Sequence, residues 1–471
     1  MSGGGRYLRI ALLAALLVWH TTAGTVTLIG AGVAGLVANA ALAASRRRRA
    51  ARLAAGTGVA LGVDRRTGTG IVLTDGQLSA HGLILGASGA GKSTTLLTIL
   101  CDQIRRGRSV VAIDMKGSPA FADELAGAAR RAGRPFRLWT LDGPGYWNPL
   151  AHGNATELKD KLIATERFTE PHYQRAAERY VQTVMQVLER VHPERAPTLD
   201  EVVSLMDPRR LARLLRGVDG PFAERVQDYV ATLGSDQLSA IRGLGTRLAI
   251  VSESHTGQFL VDHGPETVDL RRALEGPEVV LFSLNSSTYG RLSAQVGTLV
   301  VQDLVAAAGH RLSHPGAQQA MIGIDEFSAL ESDNVISLLA RGRESGVPVL
   351  LATQEFADLD RAGRGVRDQV SGVTAVKIAH RQEVPSSARM IAEMAGTERV
   401  WEHSIQTASR PLLGRYDTGR GTRRLAERFI IDPNEIQSLR TGEAVVITKL
   451  PAASARVVRV TPSRERPGLE R

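Results

Sequence analysis

The fold prediction rests on the stretch Gly86-Ala87-Ser88-Gly89-Ala90-Gly91-Lys92-Ser93, which fits the pattern G-x-x-x-x-G-K-[ST]. It follows the apolar run His81–Leu85 and leads into a helical run, Thr94–Arg105, which is the context that a phosphate-binding loop requires. The glycines let backbone N–H groups converge on phosphate oxygens, and the helix N-terminus adds partial positive charge. We predict that Gly86–Thr94 binds ATP, with Lys92 reaching the β- and γ-phosphates and the Ser93 hydroxyl binding Mg²⁺.

A pair of carboxylates follows a second apolar run. The segment Met321–Glu326 ends in Asp325 and Glu326. Asp325 is predicted to complete the Mg²⁺ site opposite Ser93, and Glu326 to polarise the attacking water. The alternative is an acidic helix N-cap after a strand, which is common. A second carboxylate is not needed by a small-molecule kinase, so the Asp-Glu order favours hydrolysis.

Two further polar residues lie at informative positions. Gln354 follows the apolar strand Pro348–Thr353, where a sensor of the γ-phosphate is expected at the carboxyl edge of a parallel sheet. Arg343 precedes that strand and is a candidate arginine finger, stabilising transition-state charge from a neighbouring subunit. The alternatives are an ordinary loop glutamine and a solvated surface arginine.

Composition indicates which binding partners and which cellular compartment suit the protein. The net charge is +10, and 43% of the residues are apolar, enough for a sizeable core. The basic surplus is typical of proteins that contact nucleic acid or an anionic membrane surface, although it also fits an arginine-rich composition alone. The single cysteine, Cys101, excludes an intrachain disulfide and a Cys-cluster zinc site, and it fits a reducing cytoplasm.

The amino-terminal region, residues 1–50, is predicted to be a membrane anchor. One helix over the whole apolar stretch would be too long for a hydrocarbon core, so we predict two, at 7–21 and 24–44. Arginines before the pair and at 46–49 place both ends in the cytoplasm by the positive-inside rule. The alternative is a secretory signal peptide, which would leave the second apolar stretch unexplained.

The remaining chain divides by its periodicity. Residues 58–154 and 275–460 alternate buried strands with helices, and a final strand-like run, Glu443–Leu450, is expected to close this domain. Residues 155–274 are amphipathic and helical throughout, and 461–471 is predicted to be a disordered tail. We therefore predict an α/β fold: a P-loop, RecA-like parallel-sheet nucleotide-binding domain with an all-α insertion and an N-terminal transmembrane hairpin.

Further motifs carry a resemblance. Beside the loop and the carboxylate pair, they are Val111–Gly117, Trp147–Leu150, Ala352–Gln354, Asp432–Ile436 and Gly442–Ala444. With them the chain resembles the type IV coupling proteins, the TraG/TraD family of conjugative ATPases. In that family the arginine finger and the glutamine follow the Mg²⁺-binding aspartate at the same spacings as Arg343 and Gln354, which lie 18 and 29 residues after Asp325.

The resemblance implies a function. It implies a homo-hexameric motor at the inner membrane, with its catalytic domain in the cytoplasm, that passes relaxase-bound single-stranded DNA or protein substrates to the components of a type IV secretion channel. Two alternatives stay open: an FtsK/HerA-like double-stranded DNA translocase, and a secretion ATPase or receptor for protein substrates. A P-loop phosphotransferase is disfavoured by Glu326 and by the predicted anchor.

Overall fold

The computed structural model describes residues 58–463, apart from 167, 169, 315–317, 331, 364 and 411–413. The two predicted membrane helices, at 7–21 and 24–44, and residues 464–471 of the predicted tail lie outside the described residues. One described helix, Ser286–Leu312, is long and apolar enough to cross a bilayer by length and composition. Because 61% of its most apolar window is buried inside the fold, it has the character of a core helix.

The strands form one large sheet and one separate ribbon. In chain order they are β1 (Gly58–Asp64), β2 (Gly70–Thr74), β3 (Gly82–Leu85), β4 (Ser109–Asp114), β5 (Phe136–Thr140), β6 (Val279–Ser283), β7 (Ala320–Asp325), β8 (Val349–Thr353), β9 (Val376–Ala379), β10 (Thr397–Arg410), β11 (Gly414–Phe429), β12 (Glu443–Thr448) and β13 (Ser454–Val460). The sheet order is β2-β1-β13-β12-β9-β3-β8-β7-β4-β6-β5, and β10 pairs with β11 alone. From β9 to β5 neighbouring strands are parallel, and from β2 to β9 they are antiparallel. The predicted α/β fold is confirmed, and the sheet, which was predicted to be parallel, is mostly parallel with an antiparallel part formed by β2, β1, β13 and β12.

The helices connect and cover these strands. They are α1 (Asp75–Leu78), α2 (Lys92–Arg105), α3 (Pro119–Arg131), α4 (Ala155–Ile163), α5 (Pro171–Val191), α6 (Leu199–Leu205), α7 (Pro208–Leu214), α8 (Pro221–Ala231), α9 (Ser235–Ser252), α10 (Leu270–Glu275), α11 (Ser286–Leu312), α12 (Ser332–Glu344), α13 (Phe356–Ala362), α14 (Val366–Val373), α15 (Pro385–Ala395) and α16 (Pro433–Gln437). Helices α4 to α10 occupy the segment between β5 and β6, within which the described residues contain no named strand.

Both faces of the central sheet are covered, since β3, β4, β7 and β8 consist mostly of apolar residues and are buried along their whole length. Successive side chains point to opposite faces, so Leu83 and Leu85 join one core and Ile84 joins the other. Helices α2 and α3 cover the Ile84 side, whereas α11, α12 and the inserted helices contribute to the core on the other side.

A buried polar cluster joins α4, the first of the helices between β5 and β6, to α11. The ammonium of Lys161 on α4 lies 2.7 Å from Oδ1 of Asp303 on α11 and 2.7 Å from the carbonyl oxygen of Pro149. The other carboxylate oxygen of Asp303 accepts from the indole N–H of Trp147 at 3.0 Å. The ammonium of Lys161 and the carboxylate of Asp303 are thus paired with each other in the interior, where an unpaired ion would be strongly destabilising.

Three strands were not predicted from the sequence. Strand β13 follows the run that was expected to close the domain, and it pairs with β12 and β1. Strands β10 and β11 form a long antiparallel ribbon outside the main sheet. Its described side chains near the base are mostly exposed on both faces, so the segment lacks the alternation of apolar and polar residues that indicates a half-buried strand.

Candidate functional site

The candidate site lies at the carboxyl edge of the parallel sheet, where five neighbouring strands end. In spatial order these strands are β9, β3, β8, β7 and β4. The residues that follow them are His380, the loop Gly86–Ser93, Gln354, Glu326 and Lys116. Because the carboxyl ends of parallel strands meet at one edge, segments far apart in the chain converge on the loop.

The loop itself is shaped by close backbone approaches. A Cβ atom added at Gly86 would lie 2.6 Å from the Cβ of His380, and Gly91 has a φ of 118°, which a side chain rarely adopts. The loop is held from three sides: the N–H of Gly86 donates to Gln354, the N–H of Ala87 donates to Arg381, and the carbonyl of Ala90 accepts from Gly442. The sequence motif thus forms a fixed cradle of the kind that binds phosphate groups.

Lys92 is the first residue of α2, and its ammonium turns back into the loop. The Nζ atom donates to the carbonyl oxygens of Gly86 at 2.6 Å and Ala87 at 3.3 Å. It also lies 3.9 Å from Oε1 of Glu326. Burial lowers the pKa of Lys92, and the charge of Glu326 offsets part of this effect. A buried ammonium whose hydrogen-bond acceptors are two backbone carbonyls, with the nearest carboxylate of Glu326 at 3.9 Å, fits a phosphate ligand.

The predicted metal ligands are in direct contact. The Ser93 hydroxyl donates to Oδ2 of Asp325 at 2.5 Å, and Asp325 is buried at the end of β7. A hydroxyl beside a carboxylate, both at the mouth of the phosphate cradle, is the oxygen donor set that Mg²⁺ prefers. The residues present therefore fit Mg·ATP, with Ser93 and Asp325 as the ligands that would hold the metal.

Glu326 occupies an unusual backbone conformation. Its φ of 56° is in the left-handed region, which costs a residue with a side chain on the order of 1 kcal/mol. Its Oε1 atom accepts from Nε2 of Gln354 at 3.2 Å and lies 2.8 Å from Nζ of Lys116. Strain of this kind persists where neighbouring contacts fix the conformation, and it is common at active sites.

Lys116 is a member of the site whose role is not predicted from the sequence. Its Nζ atom lies 3.5 Å from Oδ2 of Asp325 as well as 2.8 Å from Glu326. Burial alone would lower the pKa of Lys116, but the charges of Asp325 and Glu326 more than compensate, and the pKa is raised. One signal in the sequence could have indicated this role: Lys116 lies two residues after Asp114, the last residue of the apolar strand β4. The segment Val111–Gly117 contributes only to the family resemblance in the sequence analysis.

His380 packs against the loop at Gly86, and its place in the site was not predicted from the sequence. Its Nδ1 lies 2.9 Å from the carbonyl oxygen of Glu443, to which it can only donate. Its Nε2 therefore accepts from the Thr95 hydroxyl at 2.9 Å, and the ring is neutral. Burial lowers the pKa of His380 to about 4, and the nearby charge of Lys92 acts in the same direction. The available signal was a polar side chain directly after an apolar strand.

Arg343 is not brought to this edge. It lies near the end of α12, before β8 begins, and its side chain is exposed. Its charge acts on His81, the residue before β3, whose pKa is lowered to about 4 mainly by burial. The starts of β3 and β8 are joined there by a hydrogen bond from the N–H of Val349 to Nδ1 of His81. Arg343 therefore lies at the amino edge of the sheet, opposite the P-loop of its own chain.

Comparisons with known proteins agree with this architecture. Residues 319–441 match the family model described as the TraM recognition site of TraD and TraG. The type 4 coupling protein DotL of Legionella pneumophila subsp. pneumophila (strain Philadelphia 1) is 20% identical, over 85% of this chain and 60% of DotL. The chain thus spans about three fifths of the length of that curated relative.

Solved structures show the same fold. The bacterial conjugative coupling protein TrwBdeltaN70 in its unbound form has a TM-score of 0.60 at 14% identity, covering 87% of this chain and 91% of the solved chain. TrwB in complex with ADP and Mg²⁺ has a TM-score of 0.61 at 15% identity, covering 84% and 89%. VirB4 of Thermoanaerobacter pseudethanolicus has a TM-score of 0.54 at 14% identity, covering 86% and 96%.

The parallel sheet and the loop after β3 define a P-loop nucleotide-binding protein of the RecA-like class. The family-model match, the curated relative and the fold of TrwB agree on one family. They confirm the resemblance to the type IV coupling proteins that the sequence motifs indicate.

Proposed function

We propose that this chain is a membrane-anchored ATPase that couples ATP hydrolysis to the transfer of DNA, as a relaxase-bound single strand or nucleoprotein, into a type IV secretion channel. One observation carries the proposal. The ends of four adjacent strands, β3, β8, β7 and β4, bring the P-loop, Gln354, the Asp325–Glu326 pair and Lys116 into contact. The family resemblance supplies the substrate class and the channel.

The side chains divide the chemistry of hydrolysis among them. Mg·ATP, when bound, supplies a γ-phosphoryl group whose charge the metal partly neutralises. Ser93 and Asp325 hold the metal, and Lys92 binds the phosphates. Glu326 orients the attacking water and accepts its proton. Gln354 and Lys116 hold the carboxylate of Glu326 in position.

A ring assembly is the setting for Arg343. At the amino edge of the sheet it cannot serve the nucleotide of its own chain, but an exposed arginine there is free to face the P-loop edge of a neighbouring copy. We propose that it completes the site of the next subunit in a homo-hexamer. This arrangement would make hydrolysis depend on assembly.

Anchoring in the inner membrane is part of the proposal. It rests on the two apolar segments, 7–21 and 24–44, and on their flanking arginines. A cysteine introduced at Thr22 should be labelled by an impermeant reagent from outside the cytoplasm, and one at Ser2 should not. The reverse pattern would contradict the hairpin, and no labelling at Thr22 from outside would favour a single span.

A role in handling protein substrates is the second candidate, because the matching family model is described as a recognition site for TraM.

ATP hydrolysis is tested with the full chain in detergent micelles. The wild type should release phosphate from Mg·ATP, and Lys92→Ala should not, with an unchanged thermal unfolding midpoint. Equal turnover by the two proteins would rule out hydrolysis at the P-loop.

A further inference from the structure

The ribbon formed by β10 and β11 has two different faces. In an antiparallel pair, directly opposite residues lie on the same face, and successive residues along a strand point to opposite faces. The pairs Trp401↔Leu425 and His403↔Arg423 therefore lie on one side, which we call the Trp401 face, and Glu402↔Arg424 lies on the other.

The charges on the two faces are arranged differently. On the far face each arginine of the pairs Glu398↔Arg428 and Glu402↔Arg424 is opposite a glutamate, and Arg424 lies 3.0 Å from Glu402. On the Trp401 face Arg399 is likewise opposite Glu427, but Arg423 is opposite a histidine instead of a carboxylate. The guanidinium of Arg423, on the Trp401 face, therefore has no acid directly opposite it.

The Trp401 face also presents an aromatic ring to solvent. Trp401 is 55% exposed and Leu425 opposite it is 49% exposed, whereas the other described tryptophans, Trp139 and Trp147, are fully buried. The guanidinium of Arg423 lies 4.7 Å from the ring centroid of Trp401. An exposed ring beside a cation that has no opposite acid is a combination that binds single-stranded nucleic acid, because a base stacks on the ring and a phosphate pairs with the cation.

Both ends of the ribbon lead to the P-loop. Before β10, the chain passes through Arg381, whose carbonyl accepts from the N–H of Ala87. After β11, it reaches Gly442, whose N–H donates to the carbonyl of Ala90. A ligand on the ribbon is therefore connected through short segments to the backbone that binds the phosphates.

We propose that the Trp401 face of the ribbon binds single-stranded nucleic acid, with a base stacked on Trp401 and a phosphate paired with Arg423. The proposal rests on the proposed function, which it deepens by naming a surface for the substrate. Between Thr397 and Phe429 the sequence contains seven arginines and four acidic residues, an excess that favours a polyanion over a neutral protein surface.

The test uses the full chain in detergent micelles and a fluorescein-labelled oligothymidylate, with binding followed by anisotropy at several salt concentrations. Trp401→Ala should weaken binding about 5- to 150-fold, the range expected for losing one stacked base. Arg423→Ala should weaken binding and reduce the salt slope by about one. Arg424→Ala is the matched control, since it removes the same charge from the next residue but from the far face, and it should bind like the wild type. None of the three should change ATP hydrolysis measured without nucleic acid.

The outcomes separate this proposal from the one it rests on. If the wild type binds the oligonucleotide and the Trp401 and Arg423 variants bind it equally well, the Trp401 face is not the contact and the proposed function stands. If Arg424→Ala loses as much affinity as Arg423→Ala, the loss comes from the lower net charge of the protein, and the assignment of binding to the Trp401 face is wrong. If the wild type hydrolyses ATP but binds no oligonucleotide, both proposals of a DNA substrate fail. If the Trp401 and Arg423 variants bind DNA like the wild type but form smaller oligomers, or lose binding to a protein partner, the ribbon is a protein interface.

Discussion

The Ser93 hydroxyl donates to the carboxylate of Asp325 across 2.5 Å, although 232 residues separate them in the chain. The contact exists because β3 and β7 flank β8 in the sheet, so the loop after β3 and the end of β7 are near neighbours. Both proposed metal ligands therefore lie side by side at the mouth of the loop. The chemistry then depends on the residue that follows Asp325.

Glu326→Gln should retain binding of Mg·ATP and lose hydrolysis by about 10²- to 10⁴-fold, the usual range for removing a general base. The metal ligands are untouched by this change, and the amide keeps a partner for Gln354 or Lys116. Nucleotide affinity by calorimetry and single-turnover hydrolysis would separate the two effects. Lost affinity with normal hydrolysis of the ATP that does bind would show that the assigned roles are wrong.

Lys116→Met should lower kcat by about 10- to 100-fold with little change in KM, because it removes a charge-assisted contact worth roughly 1.5–3 kcal/mol from the carboxylate of Glu326. Lys116→Arg should recover part of the rate, since it restores the positive charge. A steady-state ATP titration of the three proteins measures both constants. A Lys116→Met enzyme with an unaltered kcat would mean that Gln354 alone is enough to position Glu326.

Arg343→Ala should bind ATP normally and turn it over about 10³- to 10⁵-fold more slowly, the range seen where an arginine finger is removed from phosphoryl transfer. The decisive experiment mixes it with Lys92→Ala protein. In a mixed ring an Arg343→Ala subunit keeps its P-loop and receives Arg343 from a Lys92→Ala neighbour, so some activity should return. No recovery in rings shown to be mixed would argue against a finger acting between subunits, and full activity of Arg343→Ala alone would make it a surface arginine.

The stability of the nucleotide-binding domain should fall below pH 6.5. Burial lowers the native pKa of His380 to about 4, so between pH 6.5 and 4 the unfolded chain binds a proton that the native chain does not. Acidification therefore favours unfolding, by about 2 kcal/mol at pH 5 from this group. The drop in unfolding midpoint between pH 7 and 5 should be smaller in His380→Gln than in the wild type. His81 acts in the same direction and should leave a residual drop. Equal drops in both proteins would contradict a buried neutral His380.

Much of the candidate site followed from strand ends alone. The P-loop, Asp325, Glu326 and Gln354 each come directly after an apolar run, and parallel strands gather such residues at one edge. Lys116 could not be assigned a role in this way, because its partners are carboxylates some two hundred residues later and only the strand order shows that they meet.

The ribbon and Arg343 show two other limits of sequence patterns. Strand prediction depends on one apolar face, and a ribbon exposed on both faces has none near its base. For Arg343, the spacing from Asp325 indicated a role but not a place. The structure puts it at the far edge of the sheet, where only contact with another subunit would give it a catalytic role.

The central claim is that ATP hydrolysis at this site is coupled to DNA. The most direct test is the hydrolysis rate of the full chain in detergent micelles with no DNA, with single-stranded DNA and with a duplex of the same sequence, using Lys92→Ala as the background. We predict that the single strand stimulates the wild type more than the duplex does, and that Lys92→Ala shows no activity in any of the three. Stimulation by the duplex alone would favour a double-stranded DNA translocase, and the same rate in all three conditions would contradict coupling to DNA.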